Sequence, residues 1–408
     1  MNGLTNDIIN CIKFEIGDGE DAEKVEITLA DGEKPSDYLK RLFRLSKMHD
    51  VAHLAGDALD KNDVFQKFLN SAQKDNAERE IVLKAKTEFE KQVFSAIYRA
   101  EQQQFEYGEI CRILEEEKFE FIPLKGSVLR AFYKKPWMRT SCDVDILVKR
   151  DKIKDIIRVL TKKYEYTYAI HTQHDYSLYS AGGVHIELHF ILIFHDESGD
   201  EFTKKVWNTA TTAENCVYKK QMDGSLFYAY HLAHMAQHVL EGGGCGIKPF
   251  IDLYVMRKKM NLTEKNAEAD LEKCGLTKFS QKVTELFNFW FYGEKPSENL
   301  SVFEEFIING GVYGNLNNRA SVGASKQQGK FKYVLKRIFV PYRSLCLLYP
   351  SLEKCPILFP FYQVARWFRL LKKDGVKVDG AVKELKSISN VSAEEKQKTA
   401  EMLKTLGL

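Results

Sequence analysis

Three short stretches of this sequence hold residue types that could do chemistry together. Leu124-Lys125-Gly126-Ser127 is a small-residue turn, Asp143-Val144-Asp145 sets two carboxylates two positions apart, and Glu187 sits within His185-Ile186-Glu187-Leu188-His189. On a strand, residues i and i+2 point to the same face, so Asp143 and Asp145 project together while Val144 and Ile146 pack inward. Two acids on one face repel each other and raise a pKa unless cations compensate. Magnesium is the natural compensator, because it prefers carboxylate and phosphate oxygens; manganese is the alternative. Glu187, flanked by Ile186 and Leu188, brings a third acid from another apolar strand. Three such acids can hold two divalent ions roughly 3.5–4 Å apart, one activating an attacking hydroxyl and one stabilising a departing pyrophosphate. The chemistry in view is transfer of a nucleotidyl group from a nucleoside triphosphate.

The turn supplies the other half of such a site. Glycine lets backbone approach a phosphate closely, and exposed amides at a helix start favour an anion. Ser127 can add a hydroxyl donor. Lys125 and Arg139 are candidate contacts to the triphosphate, since either could offset its charge. His189 shares a strand face with Glu187 and could line the metal site or orient that acid. His231, His234 and His238 follow at i, i+3 and i+7, one stripe of a helix. They face a cleft or form a polar seam between helices, and Asp252 could orient one of them or cap a helix.

The elements that must position these groups can be read from periodicity. Val25, Ile27 and Leu29 alternate as a short strand. Helical spacing begins at Ser36 and continues in a helix from about Ala77 to Tyr107, with Ile81, Phe89, Val93, Phe94 and Ile97 as its buried stripe. Another helix covers Ile110 to Glu117. The centre reads as strand (Phe121–Leu124), short helix (Val128–Tyr133), strand (Val144–Val148), a helix capped by Asp151, and strands near Tyr176–Tyr179 and Val184–Phe190. That βαβαββ order predicts an α+β fold: a small mixed-sheet domain flanked by N-terminal helices and a larger C-terminal helical region. The divisions expected are 1–35, an extension with the short strand; 36–117, helical; 118–223, the catalytic domain; and 224–309, helices closing the cleft. A flexible loop, rich in Gly, Asn and Ser, is expected over 310–329, and a basic, aromatic helical region over 330–408.

Composition narrows the partners. Sixty basic and 57 acidic residues leave a net charge of +3 over 408 residues, which weighs against a long RNA as acceptor. The eight cysteines include no CxxC pair, and scattered thiols at this length fit a reducing cytoplasm. Neither a signal-peptide core nor a spanning apolar run is visible, so a cytoplasmic location is expected. From Lys330 to Lys373 the basic residues Lys330, Lys332, Lys336, Arg337, Arg343, Lys354, Arg366, Arg369, Lys372 and Lys373 are opposed only by Glu353. Such a surface suits peripheral contact with an anionic membrane or a partner.

Together, Leu124-Lys125-Gly126-Ser127, Arg139, Asp143-Val144-Asp145-Ile146-Leu147-Val148 and Glu187-Leu188-His189 resemble the minimal nucleotidyltransferase superfamily, with its DNA polymerase β-like fold. More narrowly they are similar to an uncharacterised bacterial nucleotidyltransferase family. Ala52-His53-Leu54, His234-x-x-x-His238 and Ile251-Asp252-Leu253 extend that likeness into the flanking helices. Val144 and Phe190 depart mildly from the usual isoleucine and tryptophan. The resemblance implies Asp143, Asp145 and Glu187 as catalytic metal ligands, with Lys125, Gly126, Ser127 and Arg139 on the nucleotide. His189, His234, His238 and Asp252 would lie toward the acceptor. It supplies no acceptor, and a small molecule, a sugar phosphate, or a peptide or protein hydroxyl all fit. The alternatives are a catalytically silent nucleotide-binding regulator and an adaptor built on the basic C-terminal region.

Overall fold

A computed structural model describes residues 3–17, 24–172, 174–192, 199–297, 299–326, 339–342, 345–346, 349, 351–373 and 391–408. Five helices come first: α1 (Gly3–Ile16), α2 (Pro35–Met48), α3 (Ala52–Lys61), α4 (Val64–Ser71) and α5 (Asn76–Glu116). Helix α1 occupies the expected N-terminal extension, because Ile8, Ile9, Cys11 and Ile12 form a fully buried face. The strand expected at Val25–Leu29 does not form. That segment takes no regular structure and pairs with no strand among the described residues, with Val25 buried and its N–H donating to the Asn62 side chain at 3.1 Å.

Helix α5 runs unbroken for 41 residues across the expected gap, capped by Asp75, whose carboxylate accepts from the Glu78 N–H. Its buried face also differs from the expected stripe. Val82, Phe89, Ala96, Gln103 and Ile110 are buried at heptad spacing, whereas Ile81, Phe94 and Ile97 are exposed. Close approach selects that face: a Cβ on Gly56 of α3 would lie 2.9 Å from Phe89 Cβ. Phe89 is fully buried in that contact, and Ala96, Ala100 and Gln103 continue the face while Phe94 and Ile97 turn outward.

The sheet comprises β1 (Phe121–Pro123), β2 (Asp143–Val148), β3 (Thr167–His171), β4 (Asp175–Tyr179) and β5 (His185–His189), in the order β1-β2-β5-β4-β3. Only β2 and β5 pair in parallel; the other neighbours are antiparallel. The connection between those two carries α7 (Ile153–Lys163), for which Lys152 rather than Asp151 is the N-cap. Strand β3 was not anticipated. It is a solvated edge strand without a buried alternation, so its sequence lacks the period-two signal.

One sheet face, with Val144, Ile146, Ile186 and Leu188, packs on Ile110, Ile113 and Leu114 of α5 and Ile153, Ile156 and Leu160 of α7. The other carries Asp143, Asp145 and Leu147 toward the C-terminal helices. These are α8 (Gly199–Thr209), α9 (Gly224–Gln237), α10 (Lys248–Met260), α11 (Glu268–Lys273), α12 (Thr277–Tyr292), α13 (Leu300–Gly310) and α14 (Leu316–Lys326). Helix α9 is buried on nearly every side, as befits a central helix. Helix α14 stands where a flexible loop was expected over 310–329. The polar residues that suggest a loop are its caps and cross-links: Asn315 accepts from the Asn318 N–H at 2.7 Å, and Asn318 donates to Gly243 O and Phe306 O, each at 2.9 Å. Among the described residues, α15 (Ser351–Lys354), α16 (Phe359–Lys373) and α17 (Ala393–Leu406) follow. Lys330, Lys332, Lys336, Arg337 and Arg343 of the expected basic surface lie outside the described residues. Among the described residues, no helix is long and apolar enough to cross a membrane.

The turn between α2 and α3 ties the N-terminal helices to the rest. His49 Nδ1 accepts from the Ile247 N–H at 3.3 Å, and its Nε2 contacts Ile308 O at 3.1 Å. Asp50 pairs with Lys248 at 2.6 Å and accepts from Thr140. This bonding requires a neutral imidazole, and burial pushes the His49 pKa down to about 4. The stability it contributes is therefore complete above the unfolded value near 6.5 and is lost as pH falls toward 4. Replacing His49 with Ala leaves a buried donor and acceptor unpaired, so urea unfolding at pH 7 should show a loss of roughly 1–3 kcal/mol. At pH 4.5 that penalty should largely disappear, because the wild type alone has lost its histidine contribution. An equal penalty at both pH values would contradict this account.

Candidate active site

The register of β2 with β5 sets Asp145 beside Glu187, Asp143 beside His185 and Leu147 beside His189. Two overlapping groups result, Asp143–His185–Glu187 and Asp145–Glu187–His189, with one ligating atom from each residue lying within 4.8 Å of the others. Asp145 is the best compensated acid. Its Oδ1 receives Lys125 Nζ at 3.0 Å and His189 Nε2 at 2.8 Å. Burial alone would raise its pKa, but Lys125 and His189 outweigh burial and hold the carboxylate well below the usual range. Burial and the neighbouring Asp145 charge push Asp143 up to about 6. For His189, burial opposes the charge, yet its bonds to Asp145 and Glu187 carry the pKa up to about 9. Crowded oxygen donors that still repel one another suit a hard divalent cation, so the residues present fit magnesium or manganese.

The Leu124–Ser127 turn closes through the Ser127 N–H to Leu124 O, at 3.0 Å. Lys125 occupies the first central position with φ 42° and ψ −116°, the geometry of a type II′ turn, which favours glycine there. A side chain in this region costs about 1–3 kcal/mol and persists only where its surroundings hold it. Here the surroundings are Asp145 and Tyr230, whose phenol is pushed up to about 12, mainly by burial. The next residue must lack a side chain: a Cβ on Gly126 would lie 2.5 Å from Arg139 Nη1.

Arg139 and Asp252, expected on opposite halves of the site, hold each other. Arg139 Nε and Nη2 donate to Asp252 at 3.0 and 2.9 Å, and Tyr133 Oη donates to the same carboxylate at 2.7 Å. The remaining nitrogen, Nη1, faces Gly126 and donates to Thr140 O at 3.5 Å. Asp252 is thus taken up by Arg139 and Tyr133, and His231 contacts Pro249 O at 3.0 Å instead. His234 and His238 meet through their Nε2 atoms at 3.2 Å, and a π-helical turn (His238–Gly242) begins at the second. Burial lowers the pKa of all three histidines.

A cavity of about 410 Å³ joins these groups. Lys125, Gly126, Arg139, Asp143, Asp145, Glu187, His189, His234, His238 and Asp252 line it; Ser127 does not. Sequence reasoning missed His174, Tyr230, Cys142, Lys248 and Tyr313, which also line it. His174 stacks on His189 at 5.9 Å, and the tyrosines carried no signal distinguishing them from core aromatics.

An acid cluster and the Lys125-Gly126 turn thus line one cavity. A family model described as uncharacterised nucleotidyltransferase matches residues 36–292. The chain belongs to that family, which supports nucleotidyl transfer in general and a nucleoside triphosphate as substrate. No curated protein and no solved structure matches it.

The Arg139–Asp252 pair has a measurable consequence. Removing one partner strands a buried charge, so Asp252→Ala should lower unfolding free energy by roughly 3–5 kcal/mol, while Arg139→Met with Asp252→Leu should cost clearly less. Equal losses in urea melts of the single and double variants would show that the pair is not the source.

Proposed function

We propose that this chain transfers a nucleoside monophosphate from a nucleoside triphosphate to an acceptor hydroxyl or phosphate, releasing pyrophosphate. The observation that carries the reading is the meeting of Asp143, Asp145 and Glu187, from adjacent parallel strands, opposite the Lys125-Gly126 turn. Asp143, Asp145 and Glu187 would hold two magnesium ions, which when bound polarise the phosphate oxygens and ease deprotonation of the acceptor. Asp145 binds as a full anion, because Lys125 and His189 hold it ionised. Gly126 gives the triphosphate backbone access, and Arg139 Nη1 and Lys125 Nζ offset its charge. Ser127, whose N–H closes the turn onto Leu124 O, would enter this scheme only through its hydroxyl at the start of α6 (Gly126–Leu129). Glu187 takes the acceptor proton as the acceptor oxygen attacks the α-phosphorus and the bond to the β-phosphate oxygen breaks. The histidine pair His234/His238 borders the space left for the acceptor, and the helices from residue 224 onward close it.

Incubation with magnesium and each labelled triphosphate, with cell extract supplying acceptors, tests the reading. Asp145→Asn should reduce pyrophosphate release and label transfer by at least roughly 10²–10³-fold, the scale for losing one preorganised charge stabiliser. If wild type and variant bind nucleotide alike and neither transfers label, the chain is a binding protein instead.

A further inference from the structure

The loop Gly311-Val312-Tyr313-Gly314, between α13 and α14, lies beyond the family-matched residues 36–292, yet Val312 and Tyr313 line the cavity. Tyr313 Oη sits 2.9 Å from Cys142 Sγ, immediately ahead of Asp143. The residue nonetheless remains 71% exposed, so its ring is held at the mouth by its tip with most of its surface uncovered. Burial does not account for its position; the loop beneath it does.

That loop is tightly supported. The Val312 N–H donates to Met48 O at 3.0 Å. Gly311 and Gly314 take φ +65° and +72°, and a Cβ on Gly314 would fall 1.9 Å from Gly242 O. Backbone thus packs on backbone, which leaves the loop little freedom to move away. The ring's hydroxyl meets Cys142 at the entry to β2, and Ser141 and Arg139 line the same cavity. Those two crowd Gly126, with Ser141 Oγ 3.6 Å and Arg139 Nη1 2.5 Å from a Cβ placed there, in the group assigned above to the triphosphate.

We infer that Tyr313 forms the nucleobase subsite, its ring stacking on the base while the triphosphate lies over the Gly126 turn. The inference rests on the donor-site reading above. Stacking uses the π-face that every base presents, so the ring should contribute to all four nucleotides with little discrimination among them. The hydroxyl contact to Cys142 orients the ring, and the ring face does the binding.

The test is calorimetric binding to the full chain, with magnesium, of the four non-cleavable α,β-methylene nucleoside triphosphates and of inorganic tripolyphosphate. Tyr313→Ala should weaken every nucleotide by roughly tenfold and leave tripolyphosphate unchanged, with an unaltered melting temperature; Tyr313→Phe should retain most of the affinity. Unchanged nucleotide binding in Tyr313→Ala would overturn the inference while the donor-site reading stands. Equal weakening of nucleotide and tripolyphosphate would also overturn it, by showing that the loop only shapes the phosphate end. A wild type that binds neither probe would overturn the donor-site reading and the nucleobase subsite with it.

Discussion

Mutual repulsion among Asp143, Asp145 and Glu187 is the constraint around which this structure is arranged. Parallel pairing of β2 with β5 brings Asp145 and Glu187 side by side, and burial of Asp145 denies that carboxylate water as a screen. The chain compensates only one of the three strongly, by sending Lys125 and His189 to the same oxygen of Asp145. Lys125 reaches that oxygen from a strained backbone position. Strain in the turn and repulsion among the acids are therefore coupled, since the carboxylate that needs a cation is what holds the lysine in place. A triphosphate with its divalent ions would meet both demands together.

A second layer of charge keeps the two sides of the cavity in register. Arg139 precedes β2, and Asp252 belongs to α10; their bidentate pair joins the sheet domain to the helical region, and Tyr133 completes the carboxylate's bonding. Opposite them, the turn at His49–Asp50 reaches Thr140, Ile247, Lys248 and Ile308. Glycines at 243, 244 and 246 then let the loop after α9 press directly on the backbone around Gly310 and Val312. Three separate parts of the chain thus meet at one cavity through polar and backbone contacts.

Such a construction explains which elements were legible in advance. β1, β2, β4 and β5, along with α7 and the helical stretch from residue 224, declare themselves by local alternation or helical spacing. Their apolar residues face a core that each segment must find on its own. The buried face of α5 was misread because close packing favoured Ala96, Ala100 and Gln103 over the larger Phe94 and Ile97. The polar asparagines of α14 were misread as loop residues, since their partners lie on other segments.

By itself the sequence determined the acid cluster and the turn that faces it: a glycine turn, two acids two residues apart on an apolar strand, and a third acid on another. Those signals are local, because strand alternation alone decides which face a carboxylate takes. Only the tertiary structure decided that Arg139 answers to Asp252, 113 residues away, and that Tyr313 meets Cys142 across 171 residues. It also decided that Lys125 turns back onto Asp145. Contacts of that kind depend on how three packed regions come together, and no periodicity along the chain encodes them.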